Sequence, residues 1–128
     1  MENRVLIDTD IIIDYLRDAE DGAKTFETLI TQYDPCTSFI NKFELLCGIR
    51  STKESQAIED CLSGFSLFNF NDSSAFEARK IYIHLRKKGS LIGIRDIMIA
   101  GIAISYKIPV ATRNIKEFSR IPNLRIIS

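Results

Sequence analysis

The segment Arg4-Val5-Leu6-Ile7-Asp8 is a short apolar run that ends in a carboxylate. An apolar run without polar alternation is typical of a strand that is buried on both faces of a parallel sheet. The chain then becomes helical, because Ile12, Ile13 and Leu16 are spaced to share one helix face. A buried strand followed directly by a helix indicates an α/β fold.

Helix and strand patterns alternate along the rest of the chain, without a long linker, repeat or low-complexity tract. Further helices are predicted at 22–32, 41–50, 52–62, 72–88 and 96–107, a helical turn at 117–118, and strands at 34–38, 65–70, 110–112 and 124–127. We expect Phe26, Leu29 and Ile30 to face inward. The helix at 96–107 is apolar on almost every face, which predicts burial on both sides. The sequence thus predicts one α/β domain over residues 1–128, with a mostly parallel central sheet between two layers of helices.

The composition is that of an ordinary globular domain, with 128 residues of which 45% are hydrophobic and 27% are charged. The chain has 17 Lys+Arg and 17 Asp+Glu, and this zero net charge argues against a protein that coats nucleic acid by bulk electrostatics. The charges are unevenly distributed: residues 1–64 carry 6 basic and 13 acidic residues, whereas residues 65–128 carry 11 and 4. The first half of the chain therefore carries net negative charge and the second half net positive charge, so each half has its own electrostatic field.

The sequence predicts a cytoplasmic protein. No run approaches the ~18 to 20 apolar residues of a membrane span, and the N-terminus lacks the long apolar region of a secretory signal. Cys36, Cys47 and Cys61 are odd in number, have apolar neighbours and form no Cys-x-x-Cys pair. We expect them to be buried, reduced thiols rather than disulfides or zinc ligands.

Polar residues that directly follow strands are the candidates for chemistry, because ligands of parallel sheets bind outside the carboxyl ends of the strands. Asp8 closes the first strand, and Glu44 lies in the first turns of the helix after the second. Asp96 opens the buried helix, Thr112-Arg113-Asn114 follows a late strand, and Glu117 lies three residues further on. Converging carboxylates repel one another unless a divalent cation relieves the repulsion. Oxygen ligands without His or Cys select Mg²⁺ or Mn²⁺ rather than zinc.

Each acidic residue taken alone also has a structural explanation. Asp8 can be a turn or cap residue, Glu44 a solvent-facing helical residue, and Asp96 an N-cap or first-turn acid that stabilises the helix dipole. Asp14 fits the polar face of the first helix, and Asp10 either caps that helix or forms an outer shell to Asp8. Three acids at strand ends and helix starts of one sheet nevertheless favour a shared site.

Four segments carry a resemblance that covers essentially the whole chain. They are Val5–Arg17, Glu44–Ile49, Asp96–Ala103 and Thr112–Phe118, the last of which is followed by Ile121-Pro122-Asn123-Leu124. In order and spacing they resemble the motifs of PIN-domain ribonucleases, in particular the VapC toxins of bacterial and archaeal toxin–antitoxin systems. One such motif is weak evidence, whereas four in order are strong.

The resemblance implies roles for particular residues. Asp8, Glu44 and Asp96 match the acidic triad of the family, in which Asp8 and Asp96 are the usual metal ligands and Glu44 is a ligand or orients water. Many relatives carry Asp at the position of Asn114, so either Asn114 or Glu117 fills the fourth position, and both remain candidate catalytic residues. Asn114 and Thr112 are expected to give polar support near the strand end.

The resemblance also implies a reaction and partners. The reaction is Mg²⁺-dependent hydrolysis of RNA, with Mn²⁺ as a substitute, in which one or two ions activate water and stabilise the transition state. The products are a 3′-hydroxyl and a 5′-phosphate. The expected partners are a small antitoxin, which fills a groove and often directs an Arg or Lys towards the acidic cluster, and a second copy of the chain that forms a homodimer through the early helices.

Basic residues near the predicted cleft are candidates for phosphate contacts. They are Arg50, Arg95, Arg113 and Lys116, for which ordinary solvated surface is the alternative. For Arg86-Lys87-Lys88, a charged helix end that is favoured by the dipole is at least as good an explanation as RNA contact.

Two other functions are compatible with parts of the sequence. Asp8-Thr9-Asp10 also resembles the start of haloacid-dehalogenase phosphatases, in which the first Asp is a nucleophile. This chain has Ile12 where those enzymes usually carry Thr or Val, and it lacks their later Lys and acidic pair in the expected arrangement. A non-catalytic PIN-fold binding module is the second alternative, and the intact acidic triad argues against it.

Overall fold

Strands and helices alternate along the chain in the computed structural model, which describes residues 3–17 and 20–127 apart from the side chains of residues 20 and 21. The strands are β1 (Arg4–Ile7), β2 (Asp34–Ser38), β3 (Ser66–Phe68), β4 (Val110–Ala111) and β5 (Ile126–Ile127). The helices are α1 (Thr9–Leu16), α2 (Glu20–Gln32), α3 (Phe39–Cys47), α4 (Thr52–Leu62), α5 (Asp72–Lys87), α6 (Ile94–Tyr106) and α7 (Ile115–Phe118).

The strands pair in the order β3-β2-β1-β4-β5, and every pairing within the described part of the chain is parallel. The first strand lies in the middle of the sheet, where Leu6 is in register with Cys36 on one side and Val110 on the other. The predicted parallel sheet is confirmed. Because the strands are parallel, the residues that follow β1, β2 and β4 lie at the same edge of the sheet.

Helices cover both faces of the sheet, as the uninterrupted apolar run in β1 predicts. Leu6 packs into a core formed with α5, α6 and α7, whereas Val5 and Ile7 pack into a second core formed with α1, α2, α3 and α4. All three side chains are fully buried. Alternate residues of β1 therefore face opposite layers, and both faces require apolar side chains.

The sixth helix is buried on nearly all sides, which confirms its prediction from the sequence. Its close approach to α5 depends on Gly101, because a Cβ atom at that position would lie 2.7 Å from the Ser74 carbonyl oxygen and 2.9 Å from the Ala78 Cβ. Glycine thus permits the contact of the two helices at this point.

Capping side chains set the helix starts, and they correct two predicted boundaries. The third helix begins two residues before the predicted Asn41, because the Ser38 side chain caps it and pairs with Asn41 in a capping box. Asp96 lies in the first turn of α6 and does not open that helix, since the N-cap is Gly93. The fourth and fifth helices begin at the predicted residues, Thr52 and Asp72, after the capping side chains of Ser51 and Asn71. The second and seventh helices each begin two residues before the predicted start.

Several side chains are more exposed than their apolar character predicts. Ile30 does not face inward: it is 42% exposed, because it lies about 100° around α2 from the buried Leu29. The three cysteines are free thiols, but Cys36 alone among them is buried. Cys47 is exposed on the outer side of α3, and Cys61 is half-buried, where desolvation raises its pKa to about 11.

Within the described residues, no helix combines the length and the apolar character that a membrane span requires.

Candidate active site

Asp8 is the centre of a buried polar network at the carboxyl end of β1. It is the N-cap of α1, and its Oδ1 accepts a hydrogen bond from the Thr9 backbone amide at 2.8 Å. Its Oδ2 accepts from Thr112 Oγ1, which follows β4, at 2.7 Å. The carboxylate is only 3% exposed. The cap explanation for Asp8 is therefore confirmed, and the same position places its carboxylate at the sheet edge.

Glu44 and Asp96 reach the same edge from α3 and α6. Glu44 is one third exposed, and its Oε1 accepts from Thr9 Oγ1 at 2.6 Å. Asp96 is nearly buried, and its Oδ2 accepts from Asn114 Nδ2 at 2.5 Å. The structure thus brings together the three acids that the sequence singles out, with Asn114 beside them.

The guanidinium of Arg95 bridges the three acids. Its Nη2 donates to Asp8 Oδ1 at 2.6 Å and to Glu44 Oε1 at 2.7 Å, and its Nε donates to Glu44 Oε2 at 2.9 Å. Its Nη1 donates to Asp96 Oδ1 at 2.7 Å. Arg95 is predicted from the sequence as a candidate phosphate contact, whereas in the structure it lies inside the acidic cluster.

Asn41 orients Asp8 and Thr9 in the cluster through hydrogen bonds. It is not predicted from the sequence as a site residue. Its side chain is fully buried, and Nδ2 donates to Asp8 Oδ1 at 3.1 Å and to Thr9 Oγ1 at 2.9 Å. Its Oδ1 accepts from Ser38 Oγ at 2.6 Å. The available signal is the spacing Ser38-x-x-Asn41-x-x-Glu44, which places a capping pair and the acid on consecutive turns of one helix face.

The fourth position of the cluster is filled by Asn114 in this arrangement. Asn114 is the N-cap of α7, and its backbone amide donates to Thr112 Oγ1 at 3.0 Å. Glu117 is half-buried on α7 and is not among the residues that line the cleft. Position 114 lies closer in sequence to the end of β4, and the helix carries Glu117 away from the sheet edge.

An open cleft of about 520 Å³ gives access to the cluster. Its lining consists of Asp8, Thr9, Asp10, Ile13, Glu44, Arg95, Asp96, Arg113 and Asn114. Arg113 lies at the edge of the cleft and forms an ion pair with Asp14. Arg50 and Lys116, the other candidate phosphate contacts, are exposed and lie outside this lining.

Hydrogen bonding dominates the electrostatics of the cluster. Partial burial raises the pKa of Glu44, but hydrogen bonds from Arg95 and Thr9 outweigh it and lower the pKa below its ordinary value. Burial likewise disfavours the charged form of Arg95, but its bonds to Glu44 and Asp8 raise the pKa of the guanidinium. These two side chains therefore stabilise each other in the charged state.

The donor atoms suit a hard divalent cation, whereas their present arrangement does not hold one. Carboxylate oxygens without His or Cys are the ligands that Mg²⁺ and Mn²⁺ prefer. In the part of the chain that the structure describes, no three acidic, histidine or cysteine side chains converge closely enough to hold a metal ion. The Arg95 guanidinium instead lies between the three carboxylates and donates a hydrogen bond to each of them.

Comparisons with known proteins agree with the fold. The family model described as PIN domain matches residues 5–124. The chain is 34% identical to Ribonuclease VapC of Rickettsia bellii (strain RML369-C), over 97% of this chain and 95% of that protein. It is 33% identical to the tRNA(fMet)-specific endonuclease VapC of Salmonella typhimurium, over 71% of this chain and 72% of that protein. VapBC-1 from nontypeable Haemophilus influenzae is a structural match with a TM-score of 0.85 and 27% identity, over 98% of this chain and 97% of that chain.

These matches decide between the functions that the sequence leaves open. The matched family is the PIN domain rather than the haloacid dehalogenases, so the phosphatase alternative with Asp8 as nucleophile has no support. The non-catalytic alternative is also unsupported, because the relatives are nucleases. With its parallel sheet, its acidic cluster at the sheet edge and these relatives, the chain belongs to the PIN-domain family and, within it, to the VapC ribonuclease toxins of toxin–antitoxin systems.

Proposed function

We propose that this chain hydrolyses internal phosphodiester bonds of RNA with the help of a divalent cation, Mg²⁺ or alternatively Mn²⁺. The observation that carries the proposal is the convergence of Asp8, Glu44 and Asp96 at one sheet edge, in a chain of the VapC family. Such a cluster of hard oxygen donors is what catalysis of phosphodiester hydrolysis by a metal ion requires.

Asp8 and Asp96 would hold the cation, with Glu44 as a further ligand or as the group that orients the attacking water. The bound cation supplies a water of lowered pKa and charge stabilisation at the phosphate. Two carboxylates are fixed by neighbours that donate hydrogen bonds: Thr112 and Asn41 orient Asp8, and Asn114 orients Asp96. Such outer partners keep ligands in the productive geometry.

Arg113 is placed to contact the RNA backbone. Its side chain is about half exposed at the rim of the cleft, where the ion pair with Asp14 holds it. Arginine binds phosphate through paired N–H groups, so Arg113 orients the substrate without taking part in bond cleavage. We expect Arg50 and Lys116, outside the cleft, to contribute less.

Incubation of the purified protein with total RNA tests this function. Wild type is expected to cleave RNA with Mg²⁺ or Mn²⁺ and to stop in EDTA. Asp8→Asn and Asp96→Asn are each expected to lower the rate about 100-fold or more, since the loss of supporting residues alone costs ~10- to 100-fold in metal sites. The cleaved ends should be 3′-hydroxyl and 5′-phosphate, which end-labelling of the fragments identifies.

Asp60→Asn is the matched control, because it removes the same charge from an exposed position on α4. It should cleave RNA at the wild-type rate. Cleavage that persists in EDTA, or that is unchanged in both Asp8→Asn and Asp96→Asn, would overturn the proposed mechanism. Inspection of all variants by circular dichroism separates loss of chemistry from loss of fold.

We further propose that a small antitoxin partner binds this chain in the cytoplasm. The support comes from solved VapBC structures, which include VapBC2 from Rickettsia felis bound to a DNA fragment from their promoter, at 29% identity and a TM-score of 0.82 over 97% of both chains. Co-expression with the small protein encoded beside this chain should yield a complex that co-elutes from a sizing column. Separate elution of the two proteins would contradict the proposal.

A homodimer is proposed through the early helices. The third helix exposes Phe39, Phe43 and Leu46 at a spacing that places them on one outward side, and Phe43 is 65% exposed. Contiguous exposed apolar side chains of this kind mark contact surfaces. Light scattering should show a dimer for wild type and a monomer for Phe43→Glu. A wild-type monomer at high concentration would reject this proposal.

A further inference from the structure

The acidic cluster contains a cation that the chain itself supplies. Arg95 donates to both oxygens of Glu44, to Asp8 Oδ1 and to Asp96 Oδ1. Asp8 Oδ2 accepts from Thr112 Oγ1 at 2.7 Å and, at the longer distance of 3.4 Å, from Arg95 Nη1. Asp96 Oδ2 accepts from Asn114. Every oxygen of the three carboxylates therefore already accepts a hydrogen bond.

A guanidinium and a metal ion cannot use these oxygens at the same time. A divalent cation needs direct contact with carboxylate oxygens at about 2.0–2.2 Å for Mg²⁺, and it repels a positive guanidinium at that distance. The carboxylates, for their part, repel one another when neither cation is present. The site therefore has two stable forms, one with Arg95 between the acids and one with a divalent cation in its place.

We propose that Arg95 is a resident counter-cation that competes with the catalytic metal for the acidic cluster and so sets the metal affinity of the enzyme. This inference rests on the proposed function, because it concerns the same metal site. Arg95 stabilises the metal-free protein by neutralising Asp8, Glu44 and Asp96. Its side chain must leave the cluster before the cation binds.

The position of Arg95 allows that exchange. Its side chain is 32% exposed and lines the open cleft, so the cleft offers it space to turn into. In that orientation the guanidinium lies on the side from which RNA enters, where a phosphate is a suitable new partner. Asp96 remains in place meanwhile, because Asn114 still binds its other oxygen.

The competition predicts a measurable change in metal affinity. When the binding-competent form is a small fraction of the molecules, the apparent dissociation constant rises by the inverse of that fraction. We therefore expect Arg95→Gln to bind Mn²⁺ about 10-fold more tightly than wild type, measured by calorimetry in the absence of RNA. In EDTA the same variant should melt at a lower temperature than wild type, because the acids then lack a counter-cation.

Arg113→Gln is the matched control, since it removes the same charge from the rim of the same cleft without touching the three acids. It should change Mn²⁺ affinity by no more than about 2-fold, as expected of an exposed charge. Arg95→Lys keeps the charge but loses the planar fork, so its affinity should lie between those of wild type and Arg95→Gln. This variant provides the test if Arg95→Gln does not fold.

The possible results separate this inference from the proposed function. Equal Mn²⁺ affinity in wild type, Arg95→Gln and Arg95→Lys would overturn the role of Arg95, even where RNA cleavage depends on metal and on Asp8. An equal gain in affinity in Arg113→Gln would also overturn it, because the effect would then be general electrostatics. Absence of Mn²⁺ binding in every variant would overturn both proposals together.

Discussion

Asn41→Ala tests how far the candidate site depends on one buried amide. Asn41 is fully buried and forms hydrogen bonds with Asp8, Thr9 and Ser38, the last through both its amide and its hydroxyl group. At about 1 kcal/mol net for each of the four bonds that the Asn41 side chain forms, the substitution should destabilise the protein by about 4 kcal/mol. For a domain of this size that corresponds to a melting temperature about 15 °C lower.

Urea unfolding in EDTA, followed by circular dichroism, measures this loss. The matched control is Asn71→Ala, because Asn71 also caps a helix and bonds to neighbouring groups, namely the Ser74 amide and hydroxyl and the Tyr106 hydroxyl, but is exposed. Loss of such a cap costs about 1 kcal/mol. RNA cleavage should fall about 10- to 100-fold in Asn41→Ala, which no longer orients Asp8, and should be unchanged in Asn71→Ala. Equal destabilisation of the two variants would refute the importance of the buried network.

Three further outcomes are expected. Gly101→Ala should lower the free energy of unfolding, measured in urea, by about 1–2 kcal/mol, because its Cβ atom would lie 2.7 Å from a carbonyl oxygen of α5. This loss should outweigh the better helix propensity of Ala. An unchanged free energy would contradict the close packing of α5 and α6. Hydrogen bonding lowers the pKa of Glu44 in the folded protein despite its partial burial. The Glu44 carboxylate therefore stabilises the metal-free fold at pH values above its ordinary pKa of 4.5, and this stabilisation is lost as the pH falls through the lower pKa of the folded state. Urea unfolding from pH 6 to pH 3 should show this loss in wild type and less of it in Glu44→Gln, and equal slopes would contradict it. Iodoacetamide at pH 8 should modify the exposed Cys47 well before Cys61, because burial raises the pKa of Cys61 to about 11. Mass spectrometry of the peptides identifies the order of labelling. Faster labelling of Cys61 would contradict this prediction.

The sequence allows the fold and the acidic cluster to be predicted from local rules. The buried run before Asp8 predicts a central parallel strand, and parallel strands bring the residues after them to one edge. Asp8 follows β1 directly, and Asn114 lies three residues after the end of β4. Glu44 and Asp96 lie in the early turns of helices that begin at that edge. Their convergence in the structure is the geometric result of that placement.

The roles of Arg95 and Asn41 could not be predicted in the same way. Both depend on side-chain direction across large sequence separations: Arg95 meets Asp8 across 87 positions, and Asn41 meets it across 33. Ile30 and Cys47 were expected to be buried and are not, because apolar character alone does not specify the angular position of a side chain on its helix. The hydrophobic pattern predicts which face of a helix is buried, but it predicts the burial of an individual residue less well.

The central place of β1 in the sheet has a consequence for the order in which this nuclease gains activity during synthesis. Asp8 is made well before the hydroxyl that orients it, because that hydroxyl belongs to Thr112, which is 104 positions later, and β1 pairs with β4 just before Thr112. Contacts between such distant segments form late, after the intervening chain has closed into a loop. A partly synthesised chain therefore lacks both the pairing of β1 with β4 and the complete cluster. The capacity to cut RNA arises only when β4 and Thr112 have folded against β1 and Asp8.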